Sequence, residues 1–111
     1  MITYNFPTTK NPTIQAIVQA LESAFSGLKV DTFPPNQFPT SNQTIQVHGY
    51  VAVSQSPTET VIIVVFFESQ SEWQGAKITQ NNVTVSFVPV VYTNIPSQQQ
   101  VESVLSGAGL I

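Results

Sequence analysis

The chain has 111 residues, no cysteine, a net charge of −3 and charged side chains at only 8% of its positions, against about 25% in a typical soluble domain. Three lysines and no arginine are too few cations to neutralise nucleic-acid phosphates, so we predict no nucleic-acid partner. The missing cysteines exclude a disulfide framework, and the length fits one domain over residues 1–111.

The first two predicted elements are a short strand and a helix. Ile2, Tyr4 and Phe6 alternate with polar residues until Pro7, a pattern that predicts a strand. Asn11–Pro12 then supplies an N-cap and a proline at the first helical position. The apolar stripe that follows at helical spacing consists of Ile14, Ile17, Val18, Leu21, Phe25 and Leu28.

The next part of the chain is dominated by loops and alternation. Residues 28–33 can form a short edge strand that ends at Pro34–Pro35. Residues 34–43 predict a polar, proline-rich loop, either a simple connection or a partner-contacting segment. Residues 44–53 alternate and predict one strand, in which Gly49 indicates a bulge or a close approach by the helix. His48 lies on the face of this strand opposite its apolar residues, which favours a structural or surface role.

Seven consecutive apolar residues, Val61–Phe67, give the strongest signal in the chain. Five of them are Val or Ile, which pack well on a pleated surface. The run is too short for a membrane helix of about 20 apolar residues, so we predict no membrane span. Successive side chains of a strand point to opposite faces, so both faces are apolar and both must be covered, one of them by a helix and the other by a second helix or another subunit.

The last part of the chain predicts a strand and a second helix. Residues 69–82 are polar apart from Trp73 and Ile78 and predict a helical turn or a longer hairpin arm. Residues 83–92 predict a strand in which Pro89 marks an edge or a bulge. A capping-box pattern at residues 97–100 opens a helix that ends near Gly107.

These elements predict an α+β fold in the order β-α-β-β-β-α. It consists of a mainly antiparallel sheet of four to five strands, with the N-terminal amphipathic helix on one face and a C-terminal helix. The order resembles that of small phage neck and tail-completion proteins. The uncharged composition resembles that of virion and surface proteins of acid-loving archaea and their viruses. Both resemblances imply a structural role in a virion or at a cell surface.

The residues that carry chemistry are sparse. A Ser-His-Asp arrangement would need His48 and Asp31, the single residues of each type, and no nucleophile turn supports it. A metal site needs three or four clustered ligands. Glu68 and Glu72 can meet on a turn, but two solvated acids are the favoured interpretation. We therefore predict no enzyme activity, no cofactor, no metal site and a weak dependence of stability on pH.

The favoured hypothesis is a non-enzymatic structural or assembly protein that self-associates into a homo-oligomer, because an uncharged surface offers little repulsion. A regulatory or inhibitory module that binds one partner protein through Phe33, Phe38 and Trp73 is the alternative, and a ligand-binding α+β fold with a pocket under the helix is a third. A virion or extracellular location is favoured over the cytoplasm. Asn42 and Asn82 match the N-glycosylation acceptor pattern.

Overall fold

The computed structural model describes residues 1–32, 38–72 and 76–111. These residues form an α+β arrangement with two helices, as predicted. In chain order the elements are β1 (Ile2–Thr8), α1 (Ile14–Ala24), β2 (Val30–Thr32), β3 (Gln43–Val47), β4 (Gly49–Gln55), β5 (Thr60–Phe66), β6 (Lys77–Gln80), β7 (Val83–Pro89) and α2 (Gln98–Gly107).

The described strands are divided between two mixed sheets. The larger sheet has the order β1-β5-β4-β2 and is parallel only between β2 and β4. The smaller sheet has the order β3-β7-β6 and is parallel between β3 and β7. The prediction of one mainly antiparallel sheet of four to five strands is therefore wrong. The predicted order β-α-β-β-β-α also omits β2, β6 and a division within residues 44–53.

The chain changes sheet at His48, so the single strand predicted over residues 44–53 is two strands. A Cβ atom at Gly49 would lie 1.9 Å from the carbonyl oxygen of Val65, which means that β4 meets β5 too closely for any side chain at this position. The His48 N–H donates to the Lys29 carbonyl at 2.7 Å, and the His48 carbonyl accepts the Phe67 N–H at 2.9 Å. The close approach predicted at Gly49 exists, but the approaching group is the β5 backbone rather than a helix.

Both helices pack on the same face of the larger sheet. Ile62, Val64 and Phe66 of β5 point to this face and are fully buried. The helix residues in the same cluster are Ile17 and Leu21 of α1 and Val101 and Leu105 of α2. Because the apolar stripe of α2 packs beside that of α1, the C-terminal helix does not cover the opposite face of β5, which is the central strand of the larger sheet.

The helix N-termini are capped by local hydrogen bonds. The side chain of Thr13, rather than that of Asn11, caps α1 and accepts the Ala16 N–H at 3.2 Å. Asn11 is otherwise engaged, since its Oδ1 accepts from Gln55 Nε2 at 3.0 Å. The predicted capping box of α2 is present, with reciprocal hydrogen bonds of 2.8 and 3.2 Å between Ser97 and Gln100.

The second face of the larger sheet is only partly covered. The inner face of the smaller sheet contributes Val47, Val85 and Phe87 to a cluster around Phe67. Val65 and Phe67 are each 1% exposed at this end of the central strand. At its other end Val61 and Ile63 are half-buried. The expectation that the central run is covered on both faces therefore holds only at its C-terminal end.

Replacing Gly49 with alanine should lower the free energy of unfolding by about 2–3 kcal/mol, because the new methyl group would overlap the Val65 carbonyl and force the strands apart. Gly107→Ala is the matched control, since its added Cβ would have no described heavy atom within 4 Å apart from its chain neighbours and the backbone of its own helix. This change in α2 should leave stability unchanged or raise it by up to about 1 kcal/mol. Chemical denaturation measures both, and equal stability of the two variants would contradict the close approach.

Candidate functional site

The uncovered half of the second face forms a small surface across β1, β5 and β4, which we call the open patch. Its two cross-strand rows are Asn5–Ile63–Ala52 and Pro7–Val61–Ser54. The strand register places all six side chains on the same face, because residues directly opposite each other in neighbouring strands share a face. The open patch therefore follows from the pairing of the strands and not from a loop conformation.

The open patch has an apolar centre and an uncharged rim. Val61, Ile63 and Ala52 are half-buried, whereas Asn5 and the other two rim residues are exposed. None of the six residues carries a charge. An apolar centre surrounded by polar groups is the usual composition of a protein–protein contact surface.

The open patch extends onto strand β1, which is the terminal strand in the order of the larger sheet. β1 is seven residues long and has no charged side chain. Edge strands usually carry charges, prolines or bulges that prevent pairing with another chain. Pro7, the seventh residue of the chain, supplies one such feature near the end of β1. Most of the β1 edge therefore lacks the features that commonly prevent an edge strand from pairing with a strand of another chain.

Of the three residues predicted as an interface, one, Phe38, lies among the described residues. Phe38 is half-buried and packs against the cluster that contains Val47 and Phe67. Phe33 and Trp73 lie outside the described residues. Phe38 thus packs with the cluster of the smaller sheet.

An open groove of about 600 Å³ lies between α1 and β2 and contains two carboxyl groups. Glu22 Oε1 accepts the Val30 N–H at 3.3 Å, and Asp31 Oδ1 accepts the Thr32 N–H at 2.7 Å. Burial raises the pKa of Asp31, and the hydrogen bond from Thr32 partly offsets this effect. Both carboxyl groups are bound to the protein backbone, so the geometry indicates a structural role for them.

Glu68 and Glu72, which the sequence places four residues apart, meet around the amino group of Met1. The distances from this nitrogen to the two carboxylates are 3.4 and 2.7 Å, and Glu72 also accepts the Glu68 N–H at 3.2 Å. The hydrogen bond with the amino group lowers the pKa of Glu72. A carboxyl group with a lowered pKa is ionised at neutral pH and is poorly suited to act as a general acid.

His48, the single histidine of the chain, uses its ring to bind the backbone. Its Nδ1 accepts the Lys29 N–H at 2.9 Å, so the ring is neutral with its proton on Nε2. The ring also contacts Tyr92 with 5.0 Å between ring centroids. Burial lowers the pKa of His48, and the positive charge of Lys29 lowers it further. These contacts occupy the nitrogen that a catalytic base at this position would need.

Across residues 1–32, 38–72 and 76–111, no group of three or more histidine or acidic side chains is placed to hold a metal ion. Within the same described ranges, no helix is both long and apolar enough to cross a bilayer. No protein-family model matches the chain, and neither a curated protein nor a solved structure matches it.

The polar residues of β1 predict a solvent-exposed face of the sheet, whereas the apolar run of β5 taken alone predicts that both faces are buried. The residues of β1 that alternate with its apolar set are Thr3, Asn5 and Pro7, and all three are exposed. A sheet face that carries polar residues on one strand is usually exposed to solvent there. The polar alternates of β1 thus indicated that the paired side chains of β5, Val61 and Ile63, would stand beside water.

Asp31→Asn should raise the free energy of unfolding at pH 7, because the amide keeps the acceptor for the Thr32 N–H and removes a charge that burial disfavours. The pKa of Asp31 is raised from 3.8 in the folded chain, so folding favours the protonated carboxyl group. The contribution of this group to the free energy of unfolding is fully present below pH 3.8 and is lost as the pH rises through the folded pKa. The gain should therefore shrink below about pH 4. Denaturation at several pH values measures it, with the exposed Glu59→Gln as a control for net charge; a variant less stable than wild type at pH 7 would contradict the sign.

Proposed function

We propose that this chain is a non-enzymatic structural or assembly protein that acts through self-association, with the open patch as the contact surface. The observation that carries the proposal is the pair of half-buried residues, Val61 and Ile63, on the most apolar strand of the chain. Completing their burial would contribute part of the roughly 1.5–3 kcal/mol that full burial of such a side chain provides. A homo-oligomer, in a virion or at a cell surface, is the setting we propose.

A second copy of this chain is the occupant that the charge distribution favours. Two copies related by a twofold axis present the same surface to each other, so the surface must complement itself. The six residues of the open patch carry no charge, and two such surfaces meet without like-charge repulsion. A strongly acidic or basic partner would find no opposite charge on these residues.

The size of the open patch indicates what kind of association it supports. Three strands about 4.8 Å apart and two rows of residues cover roughly 200 Å² per copy, whereas a stable pair of proteins buries about 800 Å² per partner. The open patch alone therefore supports a weak contact. Weak contacts are sufficient when each copy makes several of them in one assembly, because linked contacts multiply. The backbone edge of β1, which has no charged side chain, offers a second contact next to the first.

A double substitution at the rim tests the proposal. Asn5→Asp with Ser54→Asp adds two negative charges to each open patch, so that two facing copies repel each other. Thr44→Asp with Gln46→Glu adds the same charge to exposed positions on the outer face of β3 and serves as the control. Sedimentation velocity up to about 1 mM detects contacts of only about 4 kcal/mol.

The wild-type protein and the control double variant should associate over the same range of concentration. The double variant at the rim should need at least about a tenfold higher concentration for the same degree of association, a difference of about 1.4 kcal/mol. Circular dichroism checks that each variant is folded. A wild-type protein that remains monomeric at about 1 mM would overturn the proposal and would favour a heterologous partner. If the double variant at the rim and the control double variant associate equally, the contact surface lies outside the open patch.

A further inference from the structure

We propose that His48 is an acid-sensitive switch that holds the smaller sheet in place, and that protonation of its Nδ1 releases the junction between the two sheets. This inference is independent of the proposed function, since it concerns the junction between β3 and β4 and not the open patch. It rests on four hydrogen bonds and on the separation of two apolar clusters.

The position of His48 concentrates the connections between the sheets at one residue. It is the single residue between β3 of the smaller sheet and β4 of the larger sheet. Its backbone binds the Lys29 carbonyl and the Phe67 N–H at 2.7 and 2.9 Å. The neighbouring Val47 carbonyl accepts the Val90 N–H, just beyond β7, at 2.8 Å. Displacement of His48 would therefore disturb the approach to β2, the end of β5 and the end of β7 together.

The side chain of His48 makes this arrangement dependent on protonation. Nδ1 accepts the Lys29 N–H at 2.9 Å, and only an unprotonated nitrogen can accept a hydrogen bond. A proton on Nδ1 would place two N–H donors against each other. The ring must then turn away, and the Lys29 N–H loses its partner. Lys29 is exposed, so water can replace His48 as the partner of its N–H, but the hydrogen bond that ties the approach to β2 to the junction is lost and the junction loosens.

The groups around the ring oppose its protonation. The charged Lys29 lies in the connection before β2, and the Tyr92 phenol, from the segment after β7, donates to the Ser26 carbonyl while its ring faces His48. Just beyond the end of β5, the Glu68 carboxylate binds the Met1 amino group. Burial first, and the Lys29 charge second, lower the pKa of His48 below its ordinary value of 6.5.

The direction of the pH effect follows from this lowered pKa. The released state, in which His48 is exposed, binds a proton more readily than the closed state. Unprotonated His48 therefore stabilises the closed state fully above pH 6.5. This stabilisation is lost as the pH falls from there through the lower pKa of the closed state. The closed junction is thus stable at neutral pH and opens in acid.

Opening at His48 can be local because the fold has two separate apolar clusters. The helix-side cluster contains Ile62, Val64 and Phe66, whereas the cluster of the smaller sheet contains Phe67, Val47, Val85 and Phe87. Release of the smaller sheet would expose the second cluster and leave the first intact. Regions with their own small core can open below the free energy of global unfolding.

Nuclear magnetic resonance of the dilute monomer tests the switch through amide-exchange protection and the imidazole nitrogen shifts. Between pH 6.5 and about 4.5, protection of the Lys29, Phe67 and Val90 amides should fall by up to about tenfold per pH unit, while protection at Ile62 and Val64 persists. His48→Asn is the matched variant, because its Oδ1 can accept the Lys29 N–H and does not titrate. Its protection should not depend on pH.

Three results would overturn the switch. The first is a His48 ring that titrates at or above pH 6.5 in the folded protein, and the second is flat protection of the three amides across the range. The third is an equal loss of protection in wild type and His48→Asn. If the variant does not fold, the titration of the wild-type ring and its amides still decides the question. Measurement on the monomer keeps the outcome separate from self-association through the open patch.

Discussion

A strand with apolar side chains on both faces needs two covers, and the described part of this chain provides one complete cover and one partial cover. The two helices bury Ile62, Val64 and Phe66 completely, which contributes roughly 5–9 kcal/mol before the loss of chain entropy. On the other face the smaller sheet reaches Val65 and Phe67 but leaves Val61 and Ile63 half-buried. The part of β5 that the smaller sheet leaves uncovered is the centre of the proposed contact surface.

The bend at His48 and Gly49 explains why the second cover is incomplete. The chain leaves the smaller sheet at this point because Gly49 lets the backbone of β4 lie against the Val65 carbonyl. The smaller sheet is thereby held beside the C-terminal end of β5 and cannot extend along its whole length. The same junction contains the His48 imidazole, whose Nδ1 accepts the Lys29 N–H, so the proposed acid response would arise where the two sheets are joined.

Elements that depend on local patterns were predictable from the sequence. Four patterns predicted their elements without tertiary information. They are the alternation in β1, the apolar run of β5, the apolar stripes of the helices and the capping box at Ser97. Thr13 replaced Asn11 as the N-cap because Asn11 contacts Gln55, a residue distant in sequence. Local preference could not separate two good capping residues whose use depends on such a contact.

Features that depend on how elements meet were not predictable. The alternation continues through His48 from Val47 to Val51, and Gly49 indicated an irregularity without specifying a change of sheet, which depends on the approach of β5. The apolar stripe of α2 requires a buried face but does not specify which side of the sheet supplies it. For the candidate site, the apolar centre was evident, whereas its half-open state follows from the polar residues that β1 places beside it.

The most direct measurement uses a soluble paramagnetic probe to report which methyl groups of β5 solvent can reach. In dilute solution the Val61 and Ile63 methyl signals should broaden while those of Ile62 and Val64 remain sharp. At high concentration the first two should become protected as a second copy covers them. Val61 and Ile63 methyl groups that are as well protected as those of Ile62 and Val64 in the dilute monomer would contradict the half-covered sheet on which the proposed function depends.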